Sequence, residues 1–339
     1  MPILNAEKLI IAFNKLSGYL TDPDSALNIL IHSAQNNNAW FTAEEVQRSL
    51  TALQQMLNTQ DLEAWFKEIK VTDTPKRVGL ILAGNIPLVG FHDVLSVLAT
   101  GNIALIKLSS SDDKLLPMVL AKLIEIEPLL KERIVYIERL KDFDAVIATG
   151  SNNTSRYFEY YFSKVPNIIR KNRSSVAVLT GEETTEEIAA LGHDIFDYFG
   201  LGCRNVSKLY IPENYDIKHF FEPIESFKGI INHFKYNNNY DYNKSIYLVN
   251  LAPHFDNGFL LLKEDTSMSS PLAVLYFERY KHIEEVTMVL KKEEEKIQCV
   301  VSKAPLAIAA ATVGFGHGQY PKLWDYADNV NTLDFLNGL

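Results

Sequence analysis

The chain has 339 residues, 47% of them hydrophobic and 22% charged, with a formal net charge of −9. That balance excludes a disordered chain, leaves material for about two cores, and gives no general attraction to nucleic-acid phosphates. Cys203 and Cys299 are the only cysteines, which excludes a disulfide framework, and the eight histidines show no HxxxH or HExxH spacing, so no metal is expected.

The N-terminus, MPILNAEKLIIAF, lacks the basic segment and small-residue cleavage site of a signal peptide. No uncharged apolar stretch approaches the ~18–20 residues of a membrane helix. The expectation is a cytoplasmic protein without a membrane span. Residues 1–70 read as helical. Leu9, Ile10, Ala12, Phe13 and Leu16 have helical spacing, a second periodic stretch runs from Ala26 to Ala34, and Thr42 with Glu45 forms a capping-box pattern. A short element is expected around Leu62–Phe66, and Asn36–Asn38 reads as a turn.

After Pro75 the pattern changes. Strands are expected at Arg77–Ala83, Ile103–Leu108, Ile134–Ile137 and Ala145–Thr149, with helices at Leu88–Ala99, Asp112–Glu125 and Ser151–Phe162. Continuous apolar runs alternating with helices of this length imply a parallel, doubly wound sheet. A second αβ section starts near Ser175, with strands at Val176–Leu179 and Val206–Ile211 around a helix at Thr185–Tyr198. Strands are expected near Ile246–Val249, Phe259–Leu262, Leu272–Phe277 and Ile297–Val301, with a charged helix at His282–Lys292. Tyr236–Tyr242 reads as a polar turn, and Gly314–Gly318 as a loop following a helical run.

Few residues offer chemistry. Cys203 lies in FGLGCRNVSKLYIP, between a helix and a strand, where Gly200 and Gly202 permit close backbone approach and Arg204 favours a thiolate. A small buried hydrophobe is the other reading of such a cysteine. Asn85, in AGNIPLVG at the end of the first strand, can donate to an oxyanion or cap the next helix, and its position alone favours the cap. Lys107, followed by Ser109, Ser110 and Ser111, can hold ribose or phosphate or simply face water. Gly150 and Ser151 open a helix, as an anion site or as a plain cap. No GxGxxG follows the first strand, and no GxSxG or P-loop motif occurs.

Taken in order, VGLILAGNIPLVGFHDVLSVLATGNIALIKLSSSD, DAVIATGSNNTSRYF, IIRKNRSSVAVLTG, FGLGCRNVSKLYIP, PLAVLYFE and GHGQYPKLWDYADNVNTLDFL resemble segments of the aldehyde dehydrogenase superfamily. The chain is most similar to its acyl-CoA reductases of the bacterial luminescence (LuxC-like) type. The resemblance runs from about Pro75 to the C-terminus. It implies an α/β, aldehyde-dehydrogenase-like fold. A helical region (1–70) packs on a Rossmann-like cofactor domain (71–172), an α/β catalytic domain follows (173–310), and a C-terminal segment (311–339) returns to the cofactor or oligomerisation region. A homodimer is a family expectation.

The resemblance also implies roles. Cys203 is the nucleophile that takes the acyl group, and Asn85 with the Cys203 backbone N–H forms the oxyanion hole. Lys107 contacts the adenosine ribose, with Thr149, Gly150 and Ser151 near the pyrophosphate and nicotinamide. Oxidising members carry a Glu roughly thirty residues before the nucleophile to activate water, whereas Ser163–Gly181 contains no Asp or Glu. Reduction is therefore the expected direction. Many NAD-preferring members carry a carboxylate just after the Lys. Ser109 and Ser110 stand there instead, so NADPH is the expected cofactor, with NADH second. The expected reaction is reduction of an acyl-CoA thioester to an aldehyde. The alternatives are an acyltransferase using the same cysteine without a redox step, an acyl-phosphate reductase, and a non-catalytic binding or scaffold subunit.

Overall fold

The computed structural model describes residues 4–339. The chain forms two compact units, one running to Asn172 and taking up Tyr320–Leu339, the other spanning Arg173–Gln319.

The first unit opens with helices α1 (Ala6–Thr21), α2 (Ser25–Ser33), α3 (Ala43–Met56) and α4 (Thr59–Trp65). Each starts at a polar cap. The side chains of Asn5, Asp24, Thr42 and Asn58 accept the N–H three residues on, satisfying one orphan donor per helix. Their apolar faces join the core of the sheet behind them. Leu9, Phe13, Leu16 and Leu20 of α1 share one cluster with Val78, Leu80, Leu95, Val119 and Leu120. Each such side chain contributes roughly 1.5–3 kcal/mol on burial. The N-terminal helices therefore complete this core.

The sheet behind them comprises β1 (Arg77–Ile81), β2 (Ile103–Lys107), β3 (Ile134–Tyr136), β4 (Ala145–Thr149) and β5 (Asn167–Arg170). Helices α5 (Phe91–Ala99), α6 (Leu115–Ile126) and α7 (Asn152–Phe162) are interleaved. Every pairing is parallel and the order is β3-β2-β1-β4-β5. The chain moves outward one way through β2 and β3, then the other way through β4 and β5. The order thus reverses between β1 and β4. Ile168 and Ile169 of β5 pair with Ile147 and Ala148 in this first sheet. The buried guanidinium of Arg170 pairs with Asp93 at 2.6 Å and donates to the Ala327 carbonyl and Thr332 hydroxyl, locking the C-terminal segment onto α5.

The second unit contains β6 (Ser174–Val178), α8 (Thr185–Phe196), β7 (Val206–Pro212), α9 (Lys218–Phe221), α10 (Phe234–Val249), β8 (Phe255–Asp256), β9 (Leu261–Glu264), β10 (Val274–Tyr280), α11 (Ile283–Lys292), β11 (Ile297–Val301) and β12 (Ala311–Val313). The sheet order is β12-β11-β6-β7-β10-β9-β8, parallel except for β8. One face packs Leu191, Ile195, Leu209 and Phe220, and the other Val176, Tyr210, Val286 and Leu290.

Four expectations are corrected here, the first two by one helix. Tyr236–Tyr242 is not a turn and Ile246–Val249 is not a strand, because both lie in α10. Tyr236, Tyr240, Asn243 and Tyr247 are buried at helical spacing, and that packing outweighs the weak helix propensity of the asparagines. Asn239 and Asn243 also donate back to the Lys235 and Asn239 carbonyls. Thirdly, no helix precedes Gly314–Gly318. The segment before it is β12, paired with β11. Fourthly, α5 starts at Phe91 and not Leu88, since Leu88 is left-handed with φ 59°. No helix among the described residues is long and apolar enough to cross a membrane.

Candidate active site

In a parallel doubly wound sheet, ligands bind beyond the carboxyl ends of the strands where the order reverses. Here that edge carries the loops after β1 and β4, with β2 on the other side of β1. Ile81 is in register with both Lys107 and Ala148. The structure therefore brings together Asn85 beyond β1, Lys107, Ser109 and Ser110 at and beyond β2, and Thr149, Gly150 and Ser151 at and beyond β4.

Asn85 is exposed and lies six residues before Phe91, so it does not cap α5. The N-cap position is Gly90, which offers no side chain. The loop bearing Asn85 is held at several points. Ser49 Oγ on α3 donates to the Pro87 carbonyl at 2.7 Å, and the Leu88 N–H donates to Asp112 Oδ2 at 2.8 Å. Gly84 lies so close to Ser109 that a Cβ there would sit 2.6 Å from Ser109 Oγ. The left-handed Leu88 costs roughly 1–2 kcal/mol, which these contacts must offset. Burial pushes the Asp112 carboxyl up to about 6, although N–H groups of Leu88, Leu116 and Leu115 favour its charged form.

Lys107 and Ser110 are exposed. Ser109 Oγ accepts the Ser111 N–H at 3.3 Å. Ser151 is exposed and caps α7, its Oγ accepting the Thr154 N–H at 3.3 Å. Its side chain thus has the plain capping role, and the helix N-terminus beside Gly150 presents backbone N–H groups to an anion. A cation, exposed hydroxyls and a helix N-terminus on one edge fit a phosphate-bearing dinucleotide.

Cys203 lies in the second unit, half-buried, in the turn between α8 and β7. The chain reaches it through Tyr198, Phe199 and Gly200, all left-handed (φ 54°, 57° and 78°). Two bulky residues held so cost roughly 1–2 kcal/mol each. The turn is closed by the Asn205 N–H donating to the Gly202 carbonyl at 3.1 Å. Ser175 Oγ on β6 donates to the Cys203 carbonyl at 3.0 Å. The positive charge of Arg204, expected to favour the Cys203 thiolate, also favours the charged form of Cys299, against the larger effect of burial. Cys299 is fully buried, and burial pushes its thiol up.

A sequence model of the acyl-CoA reductase (LuxC) family matches residues 36–222, more than half of the chain, including Asn85 and Cys203. The chain belongs to this family. It is an oxidoreductase of acyl and aldehyde groups. Solved aldehyde dehydrogenases share the fold. Aldehyde dehydrogenase 21 from Physcomitrella patens matches with a TM-score of 0.65 at 12% identity, over 98% of this chain and 85% of that one. An indole-3-acetaldehyde dehydrogenase complexed with NAD+ matches at 0.69 and 14%, over 98% and 83%. An NAD+ complex of an aldehyde dehydrogenase from Bacillus cereus matches at 0.63 and 14%, over 92% and 76%. A comparison with curated proteins finds no significant match.

The acyl-CoA reductase fold also uses residues that sequence reasoning passed over. Asp194 of α8 accepts the N–H groups of Gly316 and Gly318 at 2.6 and 2.7 Å, so the glycine cluster wraps a carboxylate of the protein itself. Asp112 follows a serine run and reads there only as a helix start. Ser49, Ser175 and Asn205 carry no local signal, because their partners are distant in sequence or are main-chain atoms.

Proposed function

We propose that this chain reduces an acyl-CoA thioester to an aldehyde with NADPH, through a thioacyl intermediate on Cys203. The observation that carries the reading is the braced, strained turn that presents Cys203 half-buried in a chain of this family. Strain of this kind persists where function requires a fixed geometry. The Cys203 thiolate attacks the thioester carbonyl carbon, the carbon–sulfur bond to CoA breaks, and CoA leaves as a thiolate that takes a proton. The Cys203 N–H stabilises the oxyanion. When bound, the reduced nicotinamide supplies the hydride that converts the thioacyl carbon to an aldehyde. Cys203 is then released as the thiolate.

The acid content of the segment leading to the turn supports reduction over hydrolysis. Ser163–Gly181 holds no Asp or Glu. Glu183 is tied to the Thr180 and Gly181 N–H groups beyond the carboxyl end of β6, whereas the Cys203 carbonyl meets Ser175 near the amino end of that strand. Lys107, Thr149, Gly150 and Ser151 would hold the cofactor, which the two NAD+-bound relatives support. Ser109 and Ser110 place no carboxylate against a 2′-phosphate, which supports NADPH.

Intact-protein mass spectrometry after incubation with a mixed set of acyl-CoA thioesters tests the reading. An adduct at Cys203 that disappears as aldehyde on adding NADPH, and is absent in Cys203→Ala, is the expected result. An adduct indifferent to NADPH overturns it in favour of acyl transfer. No adduct from any thioester overturns it in favour of an acyl phosphate or a binding role.

A further inference from the structure

Tyr198, Phe199 and Gly200 turn the chain out of α8 in a conformation that local sterics disfavour, and Cys203 follows within three residues. Something must hold this segment in register with β7. The side chain of Asn205 is 4% exposed, and both ends of its amide are used. Oδ1 accepts the Gly202 N–H at 2.8 Å. Nδ2 donates to the Asp194 carbonyl at 3.1 Å and the Asp197 carbonyl at 2.9 Å, with the Ile195 carbonyl at 3.4 Å. These carbonyls belong to the last turn of α8 and the residue after it, where helix carbonyls lack an internal partner. The Asn205 main chain closes the other side, its N–H to the Gly202 carbonyl and its carbonyl accepting from the Ser175 N–H at 3.4 Å.

We propose that Asn205 is a positioning residue for the nucleophile. Its amide ties the Gly202 N–H to the carbonyl end of α8 and so sets where the Cys203 thiol and N–H are presented. The inference rests on the reading of Cys203 as nucleophile. An amide is required for this, because only an amide offers an acceptor and two donors on one short side chain. A carboxylate keeps the acceptor and loses the donors, and it turns a negative oxygen toward three carbonyl oxygens.

The test compares wild type, Asn205→Ala, Asn205→Asp and Cys203→Ala, each first shown to melt cooperatively. In Asn205→Ala the single-turnover rate of acyl transfer to Cys203 falls about 100-fold, as expected for a nucleophile displaced by about 1 Å. KM for the acyl-CoA and the rate of Cys203 alkylation by iodoacetamide change little, since neither needs the thiol aimed at a bound carbonyl. In Asn205→Asp transfer is lost at about pH 8 and recovers, relative to wild type, toward about pH 5, where a protonated acid again offers a donor. The titratable groups on the elements around the amide include His193, Asp194 and Asp197 of α8 and its end, Cys203 and Arg204 of the turn, and Cys299 of β11 beside Ser175. The comparison is therefore the ratio to wild type at each pH. Wild-type transfer in a folded Asn205→Ala, with Cys203→Ala inactive, overturns the proposal. An Asn205 variant that does not melt cooperatively overturns it in favour of a purely structural role. Retained turnover in Cys203→Ala overturns the nucleophile reading itself, and this proposal with it.

Discussion

Ser175 Oγ donates to the carbonyl oxygen of Cys203 at 3.0 Å, and the same hydroxyl lies 3.1 Å from Cys299 Sγ and accepts the Cys299 N–H at 3.2 Å. One serine on β6 thus joins the main chain of the half-buried cysteine to the thiol of the fully buried one. The two thiols differ in environment although they share this partner.

Reactivity follows that difference. Iodoacetamide is expected to label Cys203 and spare Cys299 in the native protein, because burial excludes the reagent from Cys299 and keeps its thiol protonated. Cys299→Ala retains the acyl adduct and Cys203→Ala loses it. Peptide mapping of the adduct checks both, and an adduct on Cys299 would refute the assignment.

The N-terminal helices reach the Asn85 loop through Ser49. Ser49→Ala leaves the Pro87 carbonyl without this donor, at a cost of about 1–3 kcal/mol. Urea unfolding reads the stability loss. A lowered kcat at unchanged thioester KM is the further expectation, since the loop then loses one of its restraints. An unchanged unfolding midpoint would show that the contact contributes nothing.

Asp112 makes stability depend on pH. Its carboxyl is raised from 3.8 to about 6 by burial, so the folded protein holds a proton there that the unfolded chain releases. The stabilisation is fully present below about pH 4 and is lost as pH rises through about 6, by roughly 3 kcal/mol. Asp194, also raised to about 6 by burial, acts in the same direction. Relative to wild type, Asp112→Asn gains stability as pH rises from about 4 to about 6 and then holds level. Chemical denaturation of both proteins across that range measures the difference, which a parallel pair of curves would contradict.

Ser110 faces solvent beyond β2, next to the loop that packs on Gly84. Ser110→Glu places a carboxylate where a 2′-phosphate is expected. NADPH binding weakens about tenfold or more while NADH binding holds or tightens, through like-charge repulsion. Fluorescence titration with each nucleotide gives the two dissociation constants, and an unchanged ratio would count against the assignment.

The sequence by itself determined the layers. Apolar runs such as Val78–Ile81 and Ile103–Ile106, each followed by a helix, can satisfy both faces only inside a parallel sheet, and the polar caps of the N-terminal helices are local signals. It also exposed the segments around Asn85, Lys107 and Cys203, because their order along the chain is itself the family signal. What it could not determine depends on partners that the linear order hides. Asn85 reads by its position as a cap until Asp112, 24 residues on from Leu88, holds that residue left-handed and moves the helix start to Phe91. The asparagine run in α10 reads as a turn until its tyrosines find a core. The Cys203 turn is held from outside by Ser175, and Asp194 grips Gly316 at a separation of 122 residues. Hydrogen bonds that close such distances are specified by the packing of whole sheets, which no short window of sequence contains.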